Sequence, residues 1–126
     1  MTDHIKALID FHAPKYRSKI EKTYADMCFI WVLATFEVKV LLTQYEPFTF
    51  HLPGKIKYTP DFVHILADRR LLIVEVKNSK KNKGYRVTRN KLVTAASIYP
   101  YFMWAEYLHE TGMFEIIDKL EVNDND

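Results

Sequence analysis

The chain has 126 residues, of which 48% are apolar, 14% aromatic and 27% charged. This length and composition are typical of one folded domain and exclude a disordered chain. The formal net charge of +2 is small and does not by itself indicate a partner. We interpret residues 1–126 as a single domain, with an N-terminal arm at 1–15 and a frayed tail at 119–126.

The single cysteine, Cys28, lies in an apolar run and cannot form an intrachain disulfide. We expect it to pack as a small apolar side chain in a reducing, intracellular setting, and therefore predict a cytoplasmic protein. We expect no secretory leader, and the apolar run 27–34 is too short to span a bilayer.

A helix is predicted to begin near Ser18, because Ser18 at the N-cap and Glu21 three residues later form a capping box. Apolar residues then recur at helical spacing, and no polar residue occurs between Asp26 and Thr35. A helix that is apolar all round must be covered on more than one side, by the sheet and, we expect, by a second subunit. Glu21 has two interpretations, a helix cap or a further carboxylate at a functional site, and the pattern alone favours neither.

The next segment, 38–52, has a strand-like pattern in which Pro47 marks a bend or an exposed edge. A turn is predicted at Pro53-Gly54. After it, two short apolar, β-branched runs flank the charged segment 67–70, which predicts a β-hairpin.

The ends of this hairpin carry three ionisable residues. Asp61 opens the first strand, and Glu75 and Lys77 close the second. Because side chains alternate along a strand, Glu75 and Lys77 share a face, and Asp61 joins them only if it pairs with residue 75 or 77. We therefore predict a turn of roughly three residues, or a bulge near Asp61, instead of a two-residue turn. Ordinary charged ends of a surface hairpin are the alternative explanation.

Basic residues without an acidic neighbour follow the second strand. They are Lys80, Lys81, Lys83, Arg86 and Arg89, and Lys91 lies just beyond them. We expect this basic segment to contact phosphate, and a solvated loop is the alternative.

A second helix is predicted from about residue 86 to residue 98, ended by Pro100. Lys91 falls on its apolar stripe, where a snorkelling lysine and an active-site lysine are equally compatible with the pattern. Two strands, 101–108 and 113–117, are predicted to follow.

Asp61, Glu75 and, if it reaches them, Glu21 would concentrate negative charge, and without a cation the pKa of one carboxyl would rise. Carboxylate oxygens are ligands that Mg²⁺ prefers, and the carbonyl of Val76 at the strand end is a further candidate ligand. A bound metal would activate a water molecule and stabilise charge on a phosphate, with Lys77 beside the nucleophile. The pattern therefore fits metal-assisted hydrolysis of a phosphodiester.

Pro60-Asp61 followed by Glu75-Val76-Lys77 resembles the motif of the PD-(D/E)XK nuclease superfamily. The closer resemblance is to the phage endonuclease I type of Holliday junction resolvase. The segments that carry it are 16–21, 45–47, 58–62 and 74–77. This resemblance implies an α/β (α+β) fold with a restriction-endonuclease-like core in the order α-β-β-β-α-β, in which helices flank a mixed sheet and an extra C-terminal strand is allowed.

The resemblance also implies a Mg²⁺-dependent DNA endonuclease, in which Mn²⁺ substitutes, acting on branched DNA of a phage or mobile element. The expected catalytic residues are Glu21, Asp61, Glu75 and Lys77, and the expected DNA-binding residues are Lys80, Lys81, Lys83, Arg86, Arg89 and Lys91. Members of that family are homodimers. Similar motifs occur in transposon end-cleaving subunits that need a partner within a larger complex, and a non-catalytic DNA-binding protein on a nuclease fold is a further alternative.

Overall fold

The computed structural model describes residues 15–117, so the predicted arm (apart from Lys15) and the predicted tail lie outside the described range. The elements in chain order are α1 (Lys19–Phe36), β1 (Val40–Tyr45), β2 (Phe50–Leu52), β3 (Ile56–Tyr58), β4 (Phe62–Leu66), β5 (Leu71–Lys77), α2 (Tyr85–Ile98), β6 (Met103–Leu108) and β7 (Met113–Ile116). When β2, β3 and β7 are left out, the remaining elements follow the predicted order α-β-β-β-α-β. Strand β7 is the extra C-terminal strand. The short hairpin β2–β3 was not predicted.

Five strands form one mixed sheet in the order β1-β4-β5-β6-β7. Only β5 and β6 are parallel within it, and α2 provides the crossover that a parallel pair requires. Strands β2 and β3 form a separate antiparallel pair that packs against α2. The predicted α+β class with a mixed sheet between helices is confirmed.

Each helix covers one face of the sheet with its own apolar core. On the α1 face the largest fully buried side chains are those of Tyr24, Phe62, Leu66 and Leu72. On the α2 face Leu92 packs with apolar residues of β4, β5, β6 and the β2–β3 hairpin. Cys28 is buried in the α1 core, as predicted for a small apolar side chain.

Of the two bonds that define the predicted capping box at the start of α1, the one in which Ser18 caps the Glu21 N–H is observed. Ser18 Oγ accepts a hydrogen bond from the Glu21 N–H at 3.2 Å, and the same hydroxyl donates to Glu21 Oε1 at 2.9 Å. Burial is incomplete further along this helix, because Phe29, Ile30 and Leu33 are 49%, 62% and 50% exposed. In the single chain the sheet therefore covers only one side of the apolar half of α1.

The turn between β4 and β5 has the odd length that was predicted. The N–H of Leu66 donates to the carbonyl of Arg70, which leaves residues 67–69 as a three-residue loop. Arg69 adopts the left-handed conformation, with φ of 73°, as expected for this class of hairpin loop. Phe62 pairs with Val74, so continuing the register by one residue places Asp61 opposite Glu75.

A buried polar contact ties α1 to the sheet. His64 of β4 is fully buried, with Nε2 at 2.7 Å from the Tyr24 hydroxyl and Nδ1 at 2.8 Å from Thr43 Oγ1. Both ring nitrogens are satisfied by hydroxyl groups that can donate or accept, and no acid pairs with the ring in these contacts. Burial accordingly lowers the pKa of His64 to about 4.

Acidification should destabilise the fold through His64. Below about pH 6.5 the unfolded chain takes up a proton on this imidazole, whereas the folded chain keeps it neutral down to about pH 4. The free energy of unfolding should therefore fall in this window, by about 3 kcal/mol in all. Urea unfolding of the wild type and of His64→Gln at pH 7 and pH 4.5 measures this difference. The same pH dependence in both proteins would contradict the assignment.

Candidate functional site

The hairpin β4–β5 brings three of the predicted residues together. Asp61 lies opposite Glu75, and Lys77 Nζ lies 3.5 Å from Glu75 Oε2. All three share the α2 face of the sheet, because Val63 and Ile73, two residues away along each strand, belong to the α2 core. The geometry that the turn length predicted is therefore present.

Backbone contacts hold Asp61 at this position. The N–H of Val76 donates to Asp61 Oδ2 at 2.8 Å, and the N–H of Glu46 donates to the Asp61 carbonyl at 2.9 Å. The N–H and C=O of one strand residue point to the same side of the strand. The Val76 carbonyl, a predicted ligand, therefore faces the edge at which Asp61 lies.

Glu75 is only 5% exposed and is fixed by a residue that the sequence did not reveal. The hydroxyl of Tyr58 donates to Glu75 Oε1 at 2.7 Å. Tyr58 ends β3, so the short hairpin supplies the group that orients this carboxylate.

Glu21 reaches the site from α1, and Glu46 joins it from the end of β1. The hydroxyl of Tyr45 donates to Glu21 Oε2 at 2.7 Å, and Glu46 Oε2 lies 3.2 Å from Arg17 Nε. One carboxylate oxygen from each of Glu21, Glu46 and Asp61 lies within 4.8 Å of the others. Glu21 is thus both a helix cap and a member of this carboxylate group.

Asp61 lies between two sets of carboxylates. Glu75 is on one side of it, and Glu21 and Glu46 are on the other. Burial, as the largest cause, and the charge of Glu75 together raise the pKa of Asp61 to about 9, and the hydrogen bond from the Val76 N–H opposes the rise. Burial also raises the pKa of Glu75, against the hydrogen bond from Tyr58 and the charge of Lys77. The repulsion among these carboxylate oxygens is reduced when one of them takes up a proton or when the group binds a hard divalent cation.

A fifth carboxylate, Glu106, lies beside this group and was not predicted. It is fully buried and lies abreast of Glu75 in the parallel pair β5–β6. The Tyr85 hydroxyl donates to Glu106 Oε1 at 2.6 Å, and Arg89 Nη1 is 3.4 Å from the same oxygen. Glu106 Oε2 is buried and has no hydrogen-bond partner among the described residues.

Two of the predicted DNA-binding residues form ion pairs with carboxylates of the sheet. The Arg89 side chain is 13% exposed and also pairs with Glu115, Nη2 to Oε1, at 2.9 Å. Lys80 Nζ lies 3.0 Å from Glu115 Oε2. Arg89 is therefore largely buried, and its guanidinium holds carboxylates of β6 and β7. Its contact with DNA stays a prediction.

Lys80 is nevertheless exposed, as are Lys81, Lys83 and Arg86. A recess of about 730 Å³ at the start of α2, here called the basic pocket, is lined by Lys80, Asn82, Gly84, Tyr85, Arg86, Val87, Arg89 and Asn90. Lys91 is half-buried and lies instead in a recess of about 280 Å³, here called the apolar groove, with Leu52, Pro53, Ile56, Val87, Asn90 and Thr94.

Sequence reasoning assigned no role to three residues of this region, Glu46, Tyr58 and Glu106. Pro47 marks the end of β1 near Glu46, but it does not indicate that Glu46 meets Asp61. The position of Tyr58 depends on the hairpin β2–β3, which was not predicted.

Comparison of the chain with protein-family models, curated proteins and solved structures gave no match. The fold itself, a mixed five-stranded sheet between two helices with a small antiparallel sheet, is consistent with an α/β nuclease-like core. Neither helix within residues 15–117 is long and apolar enough to cross a membrane.

Replacement of Asp61 by Asn should stabilise the cation-free protein at alkaline pH. A raised carboxyl pKa means that the folded state holds a proton that the unfolded state has lost, so stability falls as pH rises from about 4 towards 9. Asn keeps the acceptor for Val76 and cannot ionise. We expect the Tm of Asp61→Asn in EDTA to exceed that of the wild type at pH 8 by about 3–6 °C, equivalent to about 1 kcal/mol, with a smaller difference at pH 5.

The matched control is Asp68→Asn, an exposed aspartate in the β4–β5 loop whose pKa is lowered by its hydrogen bond to Arg70. This control should not gain stability at pH 8. A lower Tm of Asp61→Asn at every pH would contradict the crowding of carboxylates.

Proposed function

We propose that the protein is a metal-dependent DNA endonuclease that hydrolyses phosphodiester bonds. The observation that carries the proposal is the convergence of Asp61, Glu75 and Lys77 at the end of the β4–β5 hairpin, joined by Glu21 and Glu46. Several buried or half-buried carboxylates with one lysine among them suit phosphate chemistry assisted by a cation.

Asp61, Glu75 and the Val76 carbonyl would hold Mg²⁺ or Mn²⁺, with Glu21 and Glu46 completing or supporting the site. Carboxylate and carbonyl oxygens are the donors that these cations prefer, and the raised pKa of Asp61 marks a group that lacks a compensating charge. The cation would supply an activated water molecule and charge stabilisation at the phosphate.

Lys77 and Tyr58 would have separate roles, one at the phosphate and one at Glu75. Lys77 is partly exposed, with 23% of its side chain accessible, and its ammonium group can stabilise charge that develops on the scissile phosphate. Tyr58 fixes one oxygen of Glu75 and leaves the second near Lys77, which keeps this carboxylate in one orientation.

DNA is the proposed substrate because the basic segment begins directly after Lys77. Lys81, Lys83 and Arg86 are exposed there, and the basic pocket opens beside the same segment. Contacts to phosphates carry no base information, so selection by DNA shape, including branched DNA of a phage or mobile element, is the form of specificity that we propose.

The homodimer remains a prediction. Phe29, Ile30 and Leu33 of α1 and Leu41 and Leu42 of the edge strand β1 are exposed apolar residues at which a second subunit would bind. A different protein that presents the DNA would also fit this surface. The exposed apolar residues therefore favour a multisubunit nuclease, but they do not distinguish a homodimer from a complex with another protein.

Substitution of Lys77 by Met should abolish most of the cleavage activity. Met keeps the length of the side chain and removes the ammonium group, so we expect at least about 100-fold slower cleavage of a labelled four-way junction in Mg²⁺. Lys39→Met, at an exposed position in the α1–β1 connection, is the matched control and should cleave at the wild-type rate.

The same assay separates the alternatives. Wild-type protein that cuts no form of DNA in Mg²⁺ or Mn²⁺ would exclude an autonomous nuclease and favour a non-catalytic DNA-binding protein. Cleavage only after a second protein is added would favour a partner-dependent subunit.

The exposed basic residues should determine the salt dependence of DNA binding. Each phosphate contact contributes about 0.9 to the slope of log affinity against log salt on duplex DNA. Replacement of Lys81, Lys83 and Arg86 by Gln should therefore flatten the slope by up to about 2.7, measured by fluorescence anisotropy in EDTA. Lys39→Gln is the control, and an unchanged slope in the triple variant would show that these side chains do not touch phosphates.

A further inference from the structure

Two recesses of opposite chemistry adjoin along α2. The basic pocket lies at the start of the helix, and the apolar groove lies between the helix and the hairpin β2–β3. Val87 and Asn90 line both of them, so the two recesses are neighbours on one side of α2.

The apolar groove exposes side chains that a folded domain normally buries. Val87 is 63% exposed and Ile56 is 45% exposed, and they line the groove together with Leu52 and Pro53. Its volume of about 280 Å³ is near the lower end of the roughly 300–1,000 Å³ that is typical of small-molecule pockets. The groove therefore has room for a small flat group, and Lys91 adds a positive charge to its lining.

A nucleotide joins an anionic phosphate to a largely apolar base, which matches the order of the two recesses. A base within a continuous duplex is paired and stacked, so its face cannot reach such a groove. An unpaired base has a free face, and packing of that face against protein side chains contributes to the binding of single strands.

We propose that the apolar groove binds the base of an unpaired nucleotide while a neighbouring phosphate occupies the basic pocket. This inference rests on the proposed DNA endonuclease function and narrows its substrate class to DNA with an unpaired segment, such as a gap, a flap or an opened branch point. The hairpin β2–β3 then has two roles, because Tyr58 orients Glu75 while Leu52 and Ile56 form the wall of the groove.

Binding without cleavage tests the proposal. In EDTA, fluorescence anisotropy compares a continuous duplex, the same duplex with a five-nucleotide gap, and the gapped duplex with abasic residues in the gap. The variant is Ile56→Ser, which alters the apolar groove without touching the basic pocket, and the control is Ile116→Ser, a similarly exposed apolar residue on β7 (45% and 58% exposed). Thermal unfolding confirms that both variants are folded.

We expect the wild type and the control to bind gapped DNA at least about 5-fold more tightly than duplex, because a base packed on aliphatic side chains removes apolar surface from water at about 25 cal/mol per Å². Abasic residues in the gap, or Ile56→Ser, should remove most of this preference and leave duplex binding unchanged. Equal affinity of the wild type for gapped DNA and duplex, or an equal loss on both DNAs in the groove variant, would overturn the inference. If the protein binds and cuts all of these DNAs without preference, the inference about the groove is wrong but the proposed nuclease function stands. If the protein binds none of these DNAs, the proposed function is wrong as well.

Discussion

The length of the turn between β4 and β5 determines whether Asp61 and Glu75 lie on the same face of the sheet. Three residues, 67–69, connect β4 and β5, and this odd number sets Asp61 opposite Glu75. A loop one residue shorter or longer would shift the register by one and send the Asp61 side chain to the α1 face. The left-handed conformation of Arg69, at φ of 73°, makes the three-residue loop possible without glycine.

The parts of the fold that could be predicted are those with a local cause. Ser18 and Glu21 cap α1 through groups three residues apart, and the alternation of side chains in β5 places Glu75 and Lys77 on one face. For Asp61, the side-chain period of two left only two possible faces, and the odd-length turn was predicted on the expectation that the three charges meet. Helices, core strands and the central hairpin were therefore accessible from the sequence.

The parts that escaped prediction depend on contacts between distant segments. Glu46 belongs to the site only because its N–H binds the Asp61 carbonyl and its backbone adopts φ of 45°, which no local pattern demands. Tyr58 reaches Glu75 through a hairpin whose strands have three residues each, too short for a periodic signal. For Arg89, the charge pattern identified a cation, but the partners that bury it lie on β6 and β7.

Four carboxylates, Asp61, Glu75, Glu106 and Glu115, form a row across β4, β5, β6 and β7 on the α2 face, yet the two ends of the row differ in charge balance. At the β7 end partial burial acts to raise the pKa of Glu115, but Lys80 and Arg89 hold it below its usual range.

At the β4 end burial and the neighbouring carboxylates raise the pKa of Asp61 to about 9. The same sheet register that aligns the row therefore places Glu115 against basic side chains and leaves Asp61 among carboxylates, at the end where we propose that a cation binds. Since Lys77, which pairs with Glu75 at that end, directly precedes the basic segment, a phosphate held by that segment would approach the sheet beside Asp61.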